Sequence, residues 1–153
     1  MTIFSVRPAN DEDSKDVWEW RNDPLTRDMS LNSRFVEWDD HRKWFSASIN
    51  LRNRILLICE NDFGEKISIV RFDISQSEAL TSINLNPNQR GKGLAKNCLI
   101  QSINYFSERN LKIKKLNAEI KEENIPSQKA FLEAGFKKCD LDGNIGHYIK
   151  KLT

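Results

Sequence analysis

Apolar and polar positions change their spacing several times along the chain, and each change predicts a new element. From Ile3 to Arg7 the two kinds alternate up to Pro8, which predicts a first strand ended by the proline. A helix is expected next. Asn10 or Asp11 can cap it, acidic residues fill its first turn, and Val17, Trp18 and Trp20 supply apolar contacts until "RNDP" stops it near Pro24. From there to Val36 the chain reads as loop. In "VEWDDHRKWF" Glu37, Asp39 or Asp40 can start a second helix that buries Trp38, Trp44, Phe45 and Ala47 on one side.

At Arg54 the pattern turns to β-branched and aliphatic runs. "RILLICE" and "KISIVRFD", separated by the turn residues of "NDFG", predict an antiparallel hairpin. A third run from Ala79 to Leu85 ends at Pro87, and a glycine-bearing turn then leads into Leu94, Ala95, Cys98, Leu99, Ile103 and Phe106 at helical spacing. "KLNAEIK" from Lys115 to Lys121 is the next strand. "IPSQKAFLEAGF" follows as a helix with Pro126 in its first turn and Gly135 past its end, and "DGN" closes a last hairpin between "FKKCDL" and "IGHYIKKL".

A length of 153 residues suits a single domain, spanning 1–153, with a substantial core. Twenty-four basic against 22 acidic residues leave a net charge of +2, too little for bulk attraction to nucleic acid or anionic lipid, so any basic site must be local. The longest apolar runs, such as "ILLIC", are too short to cross a bilayer, and the N-terminus lacks the apolar stretch of a signal peptide. The expectation is a cytoplasmic protein that binds neither nucleic acid nor membrane. Cys59, Cys98 and Cys139 are far apart in apolar contexts, with no pair at metal spacing, and read as buried thiols rather than metal ligands.

The chemistry concentrates in "NPNQRGKGLAKNCL", Asn86 to Leu99. Gly91 and Gly93 stand at the entrance of a helix, where glycine costs roughly 1 kcal/mol against alanine. Close backbone approach to a ligand accounts for them, and a strand ending in inward amides before a helix N-terminus is a ready anion site. A P-loop needs GxxxxGK[ST]; here Lys92 lies between the glycines and no Ser or Thr follows to hold magnesium. The Rossmann GxGxxG is also incomplete, with Lys96 in place of its third glycine.

Taken with "NIPSQKAFLEAGF", this stretch resembles the GNAT superfamily of acyl-CoA-dependent N-acetyltransferases, and the likeness covers nearly the whole chain. "SINLNPNQRGKGLAKNCL" is similar to that family's Q/R-x-x-G-x-G/A motif, with Asn88 standing where the pattern has Gln or Arg. The resemblance implies an α/β (α+β) fold, a mixed and mostly antiparallel twisted sheet of about six to seven strands flanked by about four helices. It also implies acetyl-CoA as co-substrate, with no metal. The amides of Gln89, Arg90, Gly91, Lys92, Gly93, Leu94 and Ala95 would hold the pyrophosphate. Ile83, Asn84 and Leu85 would pair with the pantetheine arm as an added strand does, and Asn124 and Ser127 would flank pantetheine and thiol. "VRPAN", "WEWRNDP", "HRKWF", "VRFD" and "AEIKEEN" look like the branch that acetylates amino-dideoxy sugars on nucleotides, the pseudaminic-acid pathway type; ribosomal-protein N-terminal acetyltransferases share parts of these.

Acetyl transfer to an amine needs a neutral amine, a polarised carbonyl and a proton for the leaving thiolate. Glu119 shares a strand face with Asn117 and Lys121, opposite Leu116, Ala118 and Ile120. In the ribosomal-type relatives a Glu at this position is the base and a Tyr at the position of Phe131 is the acid; Phe131 has no hydroxyl, which leaves Ser127, Tyr148 or water. Glu119 reads equally as a solvated strand residue paired with a lysine, and Glu78 and Asp73 are reserve bases. For the acceptor, Arg21 and Arg71 can grip a diphosphate bidentately and Trp44 can stack on a base. The alternative is that Trp18, Trp38 and Trp44 are core residues, the reading preferred for Trp18. His41 reads from the sequence as a helix-surface residue, and from the resemblance as a substrate contact. The reaction expected is direct attack by a primary amine of a nucleotide-linked amino-dideoxy sugar in a ternary complex. Peptide N-terminal acetylation and acyl-CoA binding without turnover are the alternatives, and the oligomeric state, a homodimer included, stays open.

Overall fold

In the computed structural model, which describes residues 4–153, seven strands form one sheet in the order β1-β2-β3-β4-β5-β7-β6. These are β1 (Ser5–Pro8), β2 (Arg54–Glu60), β3 (Lys66–Ser75), β4 (Glu78–Leu85), β5 (Lys115–Lys121), β6 (Lys137–Asp142) and β7 (Ile145–Lys151). Ile3, the first residue of the expected strand, lies outside the described residues. All neighbours are antiparallel except β4 and β5. Five helices accompany the sheet: α1 (Ser14–Asn22), α2 (Pro24–Met29), α3 (Trp38–Ile49), α4 (Ala95–Arg109) and α5 (Ile125–Glu133).

The run "RILLICE" is apolar at consecutive positions because β2 is covered on both faces, as central strands are. Leu56, Ile58 and Ile69 pack against Val17 and Trp20 of α1 and Phe45 of α3. On the other face Leu57, Val70, Phe72, Leu116 and Ala118 meet Leu99, Ile103 and Phe106 of α4 and Ala130 and Phe131 of α5. There Phe72 stacks on Phe106 at 4.1 Å between centroids.

Several expectations need correction. Residues 24–29, read as loop, form α2: Pro24 occupies its first turn and the Asp23 carboxylate accepts the Thr26 N–H at 3.1 Å. The proline that ends one helix therefore begins the next. Asn10 caps the short 3₁₀ turn Asp11–Asp13 ahead of α1. The buried side of α3 consists of His41, Phe45 and Ser48, leaving Ala47 and Trp44 exposed; the i, i+4, i+7 row that meets β2 passes through His41. Trp18 is half-buried in a local aromatic group, its ring against Trp38 and Phe35 and its Nε1 donating to the Val36 carbonyl at 2.7 Å. Cys59 and Cys98 are buried thiols, whereas Cys139 is exposed because β6 is an outer strand with every residue exposed.

Candidate active site

β4 and β5 are hydrogen-bonded only from Glu78 to Leu80 and from Lys115 to Asn117. Beyond these pairs the strands part. Residues Thr81 to Leu85 keep β3 on one edge and face no strand on the other, while Ala118 to Lys121 keep only β7. The opening becomes a cavity of about 950 Å³. Its walls are Ile83, Asn84 and Leu85 of β4, Glu119 of β5, Asn124, Ser127 and Phe131 at α5, and Leu25, Thr26 and Met29 of α2.

At one end stands the glycine turn. Gly91 (φ +72°) and Gly93 (φ +69°) both adopt the left-handed conformation that side chains resist, and a Cβ at either would meet nothing within 4 Å. The N-terminus of α4 has no side-chain cap and no acidic residue in its first turn, so its free amides suit an anion. Arg90, Gly91 and Ala95 line the cavity; Gln89, Lys92, Gly93 and Leu94 do not. Gln89 is buried and its Oε1 accepts from Lys92 Nζ at 3.3 Å, and Leu94 packs under the turn beside Cys98. The Arg90 guanidinium pairs with Asp23 and donates to Thr26 Oγ1 at 2.6 Å, which ties the turn to α2.

Four acceptor-side expectations, Arg21, His41, Trp44 and Arg71, line the other part of the same cavity. His41 is 3% exposed, which corrects the surface reading. It sits 2.9 Å through Nε2 from the Ser14 carbonyl; a carbonyl only accepts, so Nε2 carries the hydrogen, and burial pushes the imidazole pKa down. Trp44 lies beneath the guanidinium carbons of Arg71 at 5.2 Å and Arg54 at 5.6 Å. Arg71 Nη2 pairs with Asp73 at 2.9 Å, and Arg21 Nη2 donates to the Asn32 carbonyl at 2.9 Å. Arg71 Nε and Arg21 Nη1 are buried without a partner among the described residues.

Among the carboxylates, Asp73 is engaged by Arg54 at 2.7 Å as well as by Arg71. Glu78 does not line the main cavity but a neighbouring groove. Asn117 at 3.0 Å and Lys115 at 2.9 Å hold its carboxyl below the usual range, which makes it a weaker base. Glu119 is exposed to the cavity and has no ion pair or hydrogen bond among the described residues, so the lysine pairing weighed for it is not formed. Tyr148 is 1% exposed on the core side of β7, and burial raises its phenol pKa; it does not line the main cavity. Ser127 does, its N–H held by Asn124 Oδ1 at 3.3 Å in the cap of α5. The sequence reading missed α2 as a cavity wall, although Asp-Pro at 23–24 is a legible helix start. Among the described residues no group of His, Cys, Asp and Glu suits a metal ion, and no helix is long and apolar enough to cross a membrane.

The strand pair opens over the glycine turn, and the comparisons give the family. The model of the acetyltransferase (GNAT) domain matches residues 4–137, and the chain belongs to that family. An uncharacterised protein of Methanocaldococcus jannaschii is 27% identical over 143 residues, 87% of this chain. The chain spans 28% of the length of that curated relative. In fold it is similar to the spermidine N-acetyltransferase of Vibrio cholerae in complex with CoA and spermine, with 16% identity, 97% and 95% of the two chains covered and a TM-score of 0.85. An aminoglycoside acetyltransferase in complex with coenzyme A has a TM-score of 0.81 at 13% identity, with 97% and 95% covered.

Proposed function

We propose that the protein acetylates a primary amine of a nucleotide-linked amino-dideoxy sugar, the substrate type of the pseudaminic-acid branch. The observation that carries this reading is the pair of guanidinium groups, Arg21 and Arg71, set together in the wall of the cavity that Glu119 also lines. Two guanidinium groups in one wall suit an anionic partner with several oxygens. A diphosphate supplies one, and Trp44, partly exposed in the same wall, can meet its base.

In this reading the amides of Gln89 to Ala95 hold the pyrophosphate of acetyl-CoA, and the unpaired edge at Ile83 to Leu85 takes its pantetheine arm as an added strand. Two glycines with open space where their side chains would be fit such an approach. The bound thioester supplies the acetyl group. Glu119, unpaired and facing the cavity, removes the proton of the attacking amine, and Ser127 supplies one to the departing thiolate. His41, neutral and fixed to Ser14, shapes the acceptor wall.

Thiol release from acetyl-CoA should be measured with a panel of nucleotide-linked amino sugars, spermidine, an aminoglycoside and N-terminal peptides. The highest kcat/KM is expected with a nucleotide-linked sugar. Turnover confined to spermidine, the aminoglycoside or a peptide would overturn the acceptor assignment, and none with any amine would favour binding without catalysis.

A further inference from the structure

Glu119 pairs directly with His147 across β5 and β7, and His147 pairs directly with Asp140 across β7 and β6. Residues opposed in an antiparallel ladder share one face of the sheet, with Cβ atoms roughly 5 Å apart. A carboxylate, an imidazole and a carboxylate therefore form one row running from the cavity to the outer strand. We propose that this row is the proton exit of the active site: His147, backed by Asp140, takes from Glu119 the proton of the acceptor amine and passes it to solvent. The inference rests on the reading of Glu119 as the base.

The placement of Glu119 motivates it. This residue lines both the main cavity and a second groove of about 370 Å³, while His147 lines the groove alone. The groove lies on the half of that sheet face that α1 and α3 leave uncovered, so a proton reaching His147 is close to water. The other charged groups on this face are already engaged or lie further along it. Glu78 is held by Lys115 and Asn117, Asp73 by Arg54 and Arg71, and Lys121 donates to the Asp28 carbonyl at 2.9 Å. On β6, Lys137 and Asp142 pair one step away with Ile149 and Ile145, Lys138 bonds Glu122 at 2.8 Å, and the Cys139 thiol donates to the His147 carbonyl at 3.3 Å. Asp140 Oδ1 accepts the Leu141 N–H at 2.8 Å. The side chains of Glu119 and His147 have no protein partner among the described residues.

The proton balance is simple. As the new C–N bond forms and the thioester C–S bond breaks, the amine nitrogen loses one proton to Glu119, and the thiolate takes a separate one from Ser127, whose hydroxyl regains a proton from water. Glu119 must be deprotonated again before the next turnover. The His147 imidazole can take a proton on one ring nitrogen and release one from the other to the water of the groove. His147 thus acts through Glu119, as a positioning residue for its proton.

The test uses the full chain with His147→Gln, Asp140→Asn and Glu119→Gln, their folding checked by circular dichroism. In His147→Gln, kcat at pH 7 should fall about tenfold, less than the roughly 10²–10⁴-fold expected for losing the base. Imidazole in the buffer should restore it through the open groove, and the pH profile of kcat should lose its lower limb. A second readout needs no turnover. The chain has two histidines, so the His147 ring can be followed by NMR in the free protein; its ring resonances should shift in both Glu119→Gln and Asp140→Asn, since each replaces a carboxylate opposite it in the sheet. Near-normal kcat in Glu119→Gln would bring down the base reading and this inference with it. An impaired Glu119→Gln beside a His147→Gln of wild-type kcat and pH profile would overturn this inference alone, as would His147 ring resonances unmoved by both substitutions.

Discussion

Arg21 and Arg71 each keep a guanidinium nitrogen buried and, among the described residues, unpartnered while the other end of the group is held, Arg21 by the Asn32 carbonyl and Arg71 by Asp73. Guanidinium groups held this way are fixed in the cavity wall and lose little conformational entropy when a ligand arrives. Arg21→Ala or Arg71→Ala should raise the acceptor KM at least about tenfold with the KM for acetyl-CoA nearly unchanged, since a charge-assisted hydrogen bond is worth roughly 1.5–3 kcal/mol. Steady-state kinetics with both substrates varied checks this; equal effects on both KM values would point to a general distortion of the cavity. For Glu119→Gln the expected outcome is a fall in kcat of roughly 10²–10⁴-fold that shrinks as pH rises, because free amine becomes abundant and a base matters less. Acetyl-CoA affinity, measured by calorimetry, should stay the same.

Two elements frame the cavity, the glycine turn and α2, and Arg90 joins them. Asp23 does two jobs there: it caps α2 through the Thr26 N–H and pairs with Arg90. Asp23→Asn separates the jobs, since asparagine caps as well as aspartate but carries no charge. The variant should keep α2 helical yet exchange the amides of Thr26 to Met29 faster, with a raised acceptor KM; unchanged exchange would show that the cap alone holds the helix. In the turn itself, Gly91→Leu with Gly93→Leu meets no steric block but forces two side chains into the left-handed region, at roughly 1–2 kcal/mol each. The double variant should remain folded and lose most of its acetyl-CoA affinity by calorimetry, because the new side chains occupy the space a pyrophosphate needs.

Across the whole molecule, Asp13 links elements distant in sequence. Its carboxylate takes Arg7 of β1 at 2.8 Å, Lys66 of β3 at 2.8 Å and the Asn10 N–H at 2.9 Å, while Arg7 also reaches Glu60 of β2. Burial alone would raise this carboxyl, but the hydrogen bonds from Arg7, Lys66 and Asn10 outweigh it and bring the pKa down to about 2 from its ordinary 3.8. A folded-state value below the unfolded one means stability fully present above about pH 4 and lost as pH falls through 2. Denaturation midpoints should therefore drop between pH 4 and 2 in the wild type. Asp13→Ala should be less stable at pH 7, by about 2 kcal/mol or more, and should show a flatter slope over that acid range. Parallel curves for the two proteins would contradict this role for Asp13.

Local patterns in the sequence determined most of the strands and helices, the hairpins at "NDFG" and "DGN", and the glycine turn ahead of α4, because period and turn chemistry act over a few residues. They also put Glu119 on the polar side of β5, which a two-residue repeat decides without help. Tertiary structure decided the rest. Which side of α3 is buried depended on where β2 lies, so a histidine took the place expected for Trp44 and Ala47. Cys139 is exposed because β6 became the outer strand, an ordering that no local signal carries. The parting of β4 from β5 beyond Leu80, the arrival of Arg21, Trp44 and Arg71 in one cavity, and the alignment of Glu119 with His147 and Asp140 all depend on register between distant segments. Register is settled by the packing of a whole sheet face, and a single strand's sequence cannot contain it.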